Sequence, residues 1–359
     1  MRRRTLLSGF AAAAMLARGR PARAQEHPLA ASWQAWKALC LSEDGRVVDG
    51  FQKAASHSEG QGYGLALAAI FDDRAAFDAI LDWTQRNLAI RDDTLLAWRW
   101  QPDARPQVPD HNNAADGDLF HAWALVLAAA RQSRPDLAER AEAVTRDLLR
   151  LCTAPHPAGD GSLLFLPGAA GFRSAEQVVV NPSYYMPRAM RELAEATGQP
   201  QLRQLAEDGA RLIDRLAAAG PVPDWVAFTA AGQAPVPVGF SRNSGYEAIR
   251  VPLFALWSGQ AASPAVRAFA RAAVRAAPGG LYPVVFDPAT GAVLESSAHA
   301  GYGAVAALAA CASGEVSADG ASVGSAMRPF AKDQPYYPAT LHLMALVAQV
   351  SQFPECVPI

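Results

Sequence analysis

Several common site signatures are missing from this sequence of 359 residues. It contains no GxxxxGK[ST] phosphate-binding loop and no HExxH pair. Its four cysteines are far apart and form no CxxC pair: Cys40, Cys152, Cys311 and Cys356. These absences remove the main support for a P-loop enzyme, a metalloprotease, a thioredoxin-like protein or a structural zinc site.

Charge is scarce as well, since only 18% of the residues are charged and the formal net charge is −2. Six arginines and no acidic residue lie within residues 1–24, so removing that segment takes the charge from −2 to −8. Lysines and arginines that neutralise phosphates supply most nucleic-acid affinity. An acidic chain with no basic cluster is therefore not expected to bind nucleic acid.

The basic first segment has the pattern of an export signal. Three arginines precede a short apolar run over residues 6–17, and Ala22-Arg23-Ala24 matches a cleavage site. The run is too short to cross about 30 Å of hydrocarbon. We therefore predict a signal peptide over 1–24, no membrane span after processing, and a periplasmic or secreted protein. The string at residues 3–7 fits both a twin-arginine signal and an ordinary secretory one.

Export permits disulfides, but a chain of this length can fold on its hydrophobic core alone. Buried free thiols and one bridge are equally consistent with the four cysteines.

Helical periodicity dominates the chain, and strand-like patterns occur only in pieces such as 163–166 and 177–180. Prolines at 135, 182, 264 and 338 suit first helical turns. The expected helices begin near Ser32, Glu59, Asp73, Asp118, Pro135, Pro182, Gln201, Tyr246, Pro264, His299 and Pro338, with a short, weak one near Ala321.

The connections between these helices alternate between tight turns and long loops rich in Gly, Pro, Asn and Asp. Six repeats of long loop, helix, tight turn and helix predict antiparallel hairpins with every long loop on one face. Closed into a ring, they form an (α/α)6 barrel. An open solenoid is the alternative, but its repeats would resemble one another. No linker divides residues 25–359, so we expect a single domain.

If the long loops share a face, carboxylates and aromatic side chains at the starts of the following helices meet there. Aromatic faces stack on sugar rings, and carboxylates and arginine bind hydroxyls. Two carboxylates are also the minimum equipment for glycoside hydrolysis. The candidates are Glu59, Asp116, Asp118, Glu247, Arg250, Trp98, Trp100, Tyr184, Tyr185, Tyr246, Tyr302, Tyr336 and Tyr337.

Each candidate also has an ordinary structural explanation. An acid that begins a helix commonly caps it, tyrosine pairs commonly pack, and Arg250 can pair with Glu247 on a helix surface. The glycines beside Glu59 can form a tight turn. The seven histidines form no ligand grouping, and a site made of His111, His121 and Asp116 fits poorly. We therefore expect no metal and no cofactor.

Four separated segments resemble motifs of glycoside hydrolase family 8, in the family's order. They also resemble the exported endoglucanases encoded with bacterial cellulose synthases. The segments are Ser58-Glu59-Gly60-Gln61-Gly62-Tyr63-Gly64, Ala115-Asp116-Gly117-Asp118, Asn181-Pro182-Ser183-Tyr184-Tyr185 and Tyr246-Glu247-Ala248-Ile249-Arg250.

The resemblance implies an (α/α)6 barrel and endo-hydrolysis of β-1,4-glucan with inversion. Glu59 matches the family's general acid, and Asp116 matches an acid that contacts and distorts the sugar at the cleavage point. Much of the family has Asp as the water-activating base where this chain has Glu247. The extra methylene matters because an error of about 1 Å can cost about a hundredfold in rate. Asp116 is the alternative base.

A general acid needs a raised pKa, whereas a helix N-terminus stabilises the ionised carboxylate. We expect burial, or the negative field of Asp116, to outweigh the dipole at Glu59.

These features together predict a monomeric, metal-independent endo-β-1,4-glucanase that acts on cellulose, in loose association with a cellulose synthase complex. Two alternatives stay open. One is a hydrolase of another glycan, such as xylan, chitosan or an exopolysaccharide, and the other is a weakly active glycan-binding component of a cellulose-secretion complex.

Overall fold

The structure is a computed structural model that describes residues 27–274, 280–315 and 328–356. The predicted signal peptide and the weak helix expected near Ala321 lie outside these residues. The described part contains eleven α-helices: α1 (Ala30–Cys40), α2 (Ser58–Ile70), α3 (Arg74–Asn87), α4 (Ala115–Gln132), α5 (Pro135–Leu151), α6 (Pro187–Thr197), α7 (Pro200–Ala217), α8 (Arg250–Trp257), α9 (Pro264–Val274), α10 (Ala300–Ser313) and α11 (Tyr336–Gln352).

Tight turns join the hairpins α2–α3, α4–α5, α6–α7 and α8–α9, as the alternation of loop lengths predicted. The turns are built by local chemistry. Asp72 and Ser133 adopt left-handed backbone conformations with φ of 54°, and the Asp73 carboxylate caps α3 by accepting from the backbone N–H of Ala76 at 3.1 Å. Pro135 and Pro264 occupy first helical positions, where no N–H is needed.

Nine short strands lie in the long connections of the described chain and form four small antiparallel sheets. Two of these strands, over residues 163–165 and 178–180, confirm the strand-like pieces seen in the sequence. The pairs are β1 (Ser56–His57) with β2 (Arg99–Trp100), β3 (Thr153–Pro155) with β4 (Leu163–Phe165), and β8 (Tyr282–Phe286) with β9 (Val293–Ser297), and the three-stranded sheet is β5 (Val178–Val180), β6 (Val226–Thr229) and β7 (Gly232–Ala234).

The two ends of the helical array meet, so the hairpins form a closed ring. The Trp36 indole on α1 donates to the Thr340 hydroxyl on α11 at 3.0 Å. On α2, a Cβ added to Gly60 would lie 2.9 Å from the Tyr336 hydroxyl oxygen at the start of α11. Contact between the first and last helices confirms the barrel and is incompatible with an open solenoid.

The inner helices are buried on nearly all sides, whereas the outer helices bury one face. In α2 every residue except Glu59 and Ile70 is buried. Glycines allow α2 and α4 to approach closely, because a Cβ on Gly62 would lie 2.8 Å from the Gly117 carbonyl oxygen and one on Gly117 would overlap Ser58. The glycines beside Glu59 therefore serve helix packing and do not form the tight turn considered as an alternative.

Two helix starts differ from the expected positions. Residues 182–184 form a single 3-10 turn, capped by the Asn181 carboxamide, and α6 begins only at Pro187. Residues 246–249 form a turn, and α8 begins at Arg250. The Asp224 carboxylate organises that turn by accepting from the backbone N–H groups of Gly245 at 2.8 Å and Ala248 at 2.9 Å.

Among the described helices, none is both long and apolar enough to cross a bilayer. Cys311 at the end of α10 and Cys356 form a disulfide, while Cys40 and Cys152 are buried free thiols. The four cysteines thus include one bridge and two thiols.

The disulfide gives the first testable prediction. It joins residues 45 positions apart, and closing a loop of that length in the unfolded chain corresponds to about 3–4 kcal/mol. We expect Cys311→Ser/Cys356→Ser to lower the free energy of unfolding by that amount in urea titrations. A reductant should destabilise the wild type and leave the variant unchanged, and equal effects on both would contradict the prediction.

Candidate active site

Residues from several inner helices and long loops meet at one mouth of the barrel. They line a cavity of about 430 Å³. Its walls are carboxylates, hydroxyls and aromatic rings contributed by Asp49, Phe51, Gln52, His57, Glu59, Tyr246, Glu247, Arg250, Ser297, His299, Tyr302, Tyr336 and Tyr337. The prediction that the long loops share a face is confirmed.

Arg250 is the centre of this site. Its side chain is only 2% exposed, and its guanidinium donates to carboxylates of three different segments: Glu59 on α2, Asp116 on α4 and Glu247 in the turn before α8. The Nη1–Oδ2 distance to Asp116 is 3.1 Å. A single buried cation therefore holds together three acids that are distant in the sequence.

Two hydroxyls also accept hydrogen bonds from Arg250. Nη1 donates to the Tyr63 hydroxyl at 3.0 Å, and Nη2 donates to the Ser183 hydroxyl at 2.8 Å. The guanidinium carbon lies 5.6 Å from the centre of the Tyr184 ring, which is within cation–π range. The surface ion pair considered for Arg250 is thus a buried network.

Glu59 lies at the cavity floor with 21% of its side chain exposed. Its Oε1 accepts from the Tyr336 hydroxyl at 3.3 Å, and its Oε2 accepts from Arg250. Burial raises the pKa of the Glu59 carboxyl; Arg250 opposes this rise and the charge of Glu247 adds to it. Burial is the largest influence on the pKa of this carboxyl, and the acid whose charge adds to the rise is Glu247 rather than Asp116.

Asp116 lies beneath Arg250, and its side chain is only 1% exposed. Its Oδ1 accepts from the backbone N–H of Gly117 at 2.8 Å. Burial raises the pKa of Asp116 well above its usual range, although Arg250 opposes the rise. This carboxyl is shielded from solvent and does not line the cavity.

Glu247 is the most accessible of the three acids, with 38% of its side chain exposed. Its Oε2 accepts from Arg250 and from the Asn181 carboxamide, the latter at 3.1 Å. Its Oε1 is the oxygen left to accept from a molecule in the cavity.

Asp118, the other acid of its motif, has a different location. Its carboxylate is buried and accepts from the backbone N–H of Leu96 at 2.8 Å and from the Asn113 carboxamide at 2.9 Å. It therefore anchors the loop before α4 and takes no part in the cavity wall.

Four predicted tyrosines line the cavity, and three of them, Tyr246, Tyr302 and Tyr337, lie close together. The rings of Tyr246 and Tyr302 lie 5.9 Å apart, edge to face. The Tyr337 hydroxyl donates to the Tyr246 backbone carbonyl, and the Tyr246 hydroxyl donates to Glu295 on β9. These contacts connect the turn before α8, strand β9 and the start of α11 on one side of the cavity.

The two predicted tryptophans have different surroundings. Trp98 lies beside the lining residue His57, with the two rings nearly parallel at 6.2 Å, and its indole N–H donates to Asp110 at 2.8 Å. Trp100 instead packs edge-on against Trp83 at 5.6 Å, outside the cavity lining. Strand β2 directs the Trp100 ring toward α3, and the binding role of Trp100 stays a prediction.

The Tyr184–Tyr185 pair is also divided. Tyr184 lies against the Arg250 guanidinium, at the site. Tyr185 is 1% exposed, and its hydroxyl accepts from the backbone N–H of Phe165 at 2.8 Å in the core. A binding role for Tyr185 does not agree with its burial, because the 3-10 turn directs the two rings to opposite sides.

Several lining residues were missed by the sequence argument. Phe51 is 71% exposed on a loop that the Asp49 carboxylate holds by accepting from the Phe51 N–H at 2.9 Å, and its ring lies 6.2 Å from His299. His57 directly precedes the Glu59 motif, and this position is the one feature of the sequence that could have indicated a lining residue. Across the described ranges, no three His, Cys, Asp or Glu side chains form a group able to hold a metal ion.

Comparison with known proteins identifies close relatives of the chain. The family model of glycosyl hydrolases family 8 matches residues 4–351. A probable endoglucanase from Novacetimonas hansenii is 38% identical over 77% of this chain and 81% of its own length. An endoglucanase from Cellulomonas uda is 34% identical over 63% of each chain.

The fold comparison agrees with these relatives. The solved structure of the endo-β-1,4-glucanase CMCax from Acetobacter xylinum matches with a TM-score of 0.77 and 35% identity, over 90% of this chain and 98% of that one.

Arg250→Met tests the charge network. The variant leaves three acids without their buried cation, and breaking such a network costs about 3–5 kcal/mol at neutral pH. Carboxyls whose pKa is raised on folding bind protons in the folded state, so the loss should shrink as the pH falls through the raised pKa. Urea unfolding at about pH 7.5 and about pH 4.5 measures the difference.

Arg146→Met is the matched control, because Arg146 pairs with Glu142 at 3.0 Å and the two side chains are 60% and 45% exposed. Its effect should be small at both pH values. An equal loss for Arg250→Met at both pH values would contradict the electrostatic role of Arg250.

Proposed function

Because this chain belongs to glycosyl hydrolases family 8, we propose that it cleaves internal β-1,4 bonds of glucan chains. The chain is a glycoside hydrolase with a β-glucan substrate. The observation that carries the specific proposal is the position of Glu59 and Glu247, which meet on the Arg250 guanidinium at the cavity floor. Such a pair of carboxyl groups can provide both the acid and the base of glycoside hydrolysis.

Glu59 is the proposed general acid. A general acid must keep its proton near the working pH and release it to the leaving oxygen. Burial raises the pKa of Glu59, and the nearby charge of Glu247 raises it further. The carboxyl is nevertheless partly exposed at the cavity floor, so a bound glycosidic oxygen can reach it.

Glu247 is the proposed general base. Its Oε2 is held by two donors, and Oε1 can accept a proton from a water molecule attacking the sugar. Asp116 is less suited to this role, because it is buried beneath Arg250 and its raised pKa favours the neutral form. We assign Asp116 the role of holding Arg250 beneath the cleavage point.

Water delivered to the face opposite the leaving group inverts the anomeric centre. We therefore propose that the first product is the α-anomer, which proton NMR of a fresh digest can identify.

The aromatic residues supply the proposed sugar-binding surface. Tyr246, Tyr302, Tyr337 and Phe51 line the cavity, and Trp98 lies beside the lining residue His57. Stacking on sugar C–H faces suits a neutral polymer, whose binding depends little on net charge. Initial rates on soluble cellulose, xylan and chitosan test this choice, and faster cleavage of either of the last two would assign a different glycan.

The proposed setting is the periplasm or the exterior, where the enzyme acts as a monomer on glucan made by a cellulose synthase and associates loosely with that complex. The basic, apolar segment at 1–24 supports export, and the rest of the chain is then one catalytic domain over 25–359.

Removal of each carboxyl tests the assignment of roles. Glu59→Gln and Glu247→Gln should each lower kcat on carboxymethylcellulose by about 100- to 10,000-fold, because general acid–base catalysis contributes that much. Asp116→Asn should also lose activity, but azide should restore turnover only to a Glu247 variant. Reducing ends are measured with EDTA present. Full activity of Glu59→Gln would exclude Glu59 as the acid, and rescue at position 116 alone would make Asp116 the base.

The pH profile tests the acid more directly. The Tyr336 hydroxyl bond stabilises ionised Glu59 and lowers its pKa, so Tyr336→Phe should raise that pKa. The protonated acid then persists to higher pH, and the alkaline limb of kcat/KM moves upward. Tyr302→Phe is the control, since Tyr302 lines the same cavity and its hydroxyl does not bond Glu59. A downward shift for Tyr336→Phe would contradict Glu59 as the acid.

A further inference from the structure

The carboxylate of Glu247 belongs to a closed ring of hydrogen bonds. The Asn181 carboxamide donates from Nδ2 to Glu247 Oε2 at 3.1 Å, and Arg250 Nη2 donates to the same oxygen. Arg250 Nη2 also donates to the Ser183 hydroxyl at 2.8 Å, and that hydroxyl donates to Asn181 Oδ1 at 2.7 Å. The ring thus passes through four side chains and returns to Asn181.

The proton arrangement of this ring has a single solution. The backbone N–H of Ser183 donates to Asn181 Oδ1 at 3.0 Å, so the amide oxygen faces Ser183 and the amide nitrogen must face Glu247. Arginine only donates, so the Ser183 hydroxyl accepts from it and sends its own proton to Asn181. Two donors then converge on Glu247 Oε2, which requires that oxygen to be unprotonated.

The ring of hydrogen bonds restricts the Glu247 side chain, which is longer and more flexible than an aspartate at this position. A glutamate has one more rotatable bond than an aspartate, and this one is 38% exposed, so it would otherwise sample several positions. Asn181 and Ser183 are both fully buried, and their motif is held in a 3-10 turn. Their positions are therefore set by the core, and Glu247 must adapt to them.

We propose that Asn181, oriented by Ser183, is a positioning residue that locates the ionised carboxylate of Glu247 and so adapts the site to a glutamate base. The proposal rests on the role of Glu247 in the proposed function.

The charged and titratable groups around Glu247 come from six parts of the fold. They include one cation and three acids. A further negative charge beside the Glu247 carboxylate therefore adds to an already acidic surrounding and should oppose its ionisation. They are Arg250 on α8, Glu59 on α2, Asp116 on α4, Asp224 before β6, Tyr184 in the 3-10 turn and Tyr337 on α11.

Asn181→Asp is the diagnostic variant, because it keeps the shape of the side chain and places a second carboxylate against Glu247. Two adjoining carboxylates ionise less readily than one, so the acid limb of kcat/KM should move to higher pH. Asn113→Asp is the matched control: Asn113 is a buried carboxamide that donates to the carboxylate of Asp118, outside the cavity. Its acid limb should stay at the wild-type pH.

Ser183→Ala provides a second test that does not add a charge. Loss of the hydroxyl frees the Asn181 amide, and a misplacement near 1 Å corresponds to about a hundredfold in rate. We expect kcat to fall between about tenfold and a hundredfold with little change in KM. In a Glu247→Asp background the shorter side chain does not reach Asn181, so the same substitution should cost less.

The outcomes separate this inference from the proposed function. If the wild type is active and Glu247→Gln is not, an unmoved acid limb in folded Asn181→Asp and an unchanged kcat in Ser183→Ala would overturn the positioning role alone. Equal costs of Ser183→Ala in both backgrounds would also overturn it. A wild type inactive on every glucan would overturn both.

Discussion

The arrangement of this molecule depends on one buried cation, Arg250, at the point where the barrel opens. A guanidinium removed from water needs compensating partners, and here three carboxylates and two hydroxyls accept from Nη1 and Nη2 of Arg250, while its Nε–H has no acceptor among the described residues. These partners come from α2, α4, the turn before α8 and the 3-10 turn before α6. The four segments must therefore converge on the Arg250 guanidinium to neutralise its charge. This convergence places the acids of the site beside one another.

Close helix packing and buried carboxylates make that convergence possible. Gly62 and Gly117 bring α2 and α4 near enough for Glu59 and Asp116 to share Arg250. Two other buried acids act on backbone groups: Asp118 holds the loop at Leu96, and Asp224 holds the turn that carries Glu247. Buried carboxylates thus have two roles in this protein. Those that bind backbone N–H groups hold the loops in place, and those that bind Arg250 form the site.

The network also explains why the acids of the site differ in character. Burial is the main influence that raises the pKa of Glu59 and of Asp116, but Glu59 reaches the cavity and Asp116 does not. Glu247 is the most exposed of the three, and it accepts two hydrogen bonds at one oxygen. A proton donor and a proton acceptor are thereby placed on neighbouring positions of a single guanidinium. Clustering like charges in this way costs stability, as is common where a site is built for chemistry.

The sequence by itself determined the helix hairpins, the shared face of the long loops and the carboxylate positions, because periodicity, turn residues and motif order are local signals. It did not separate Asp116 from Asp118 or Tyr184 from Tyr185, since neighbours in a chain point to different sides of a helix or turn. The ring through Asn181, the exposed Phe51 and the pairing of Cys311 with Cys356 were decided only by the tertiary structure, because each depends on segments brought together by closure of the barrel.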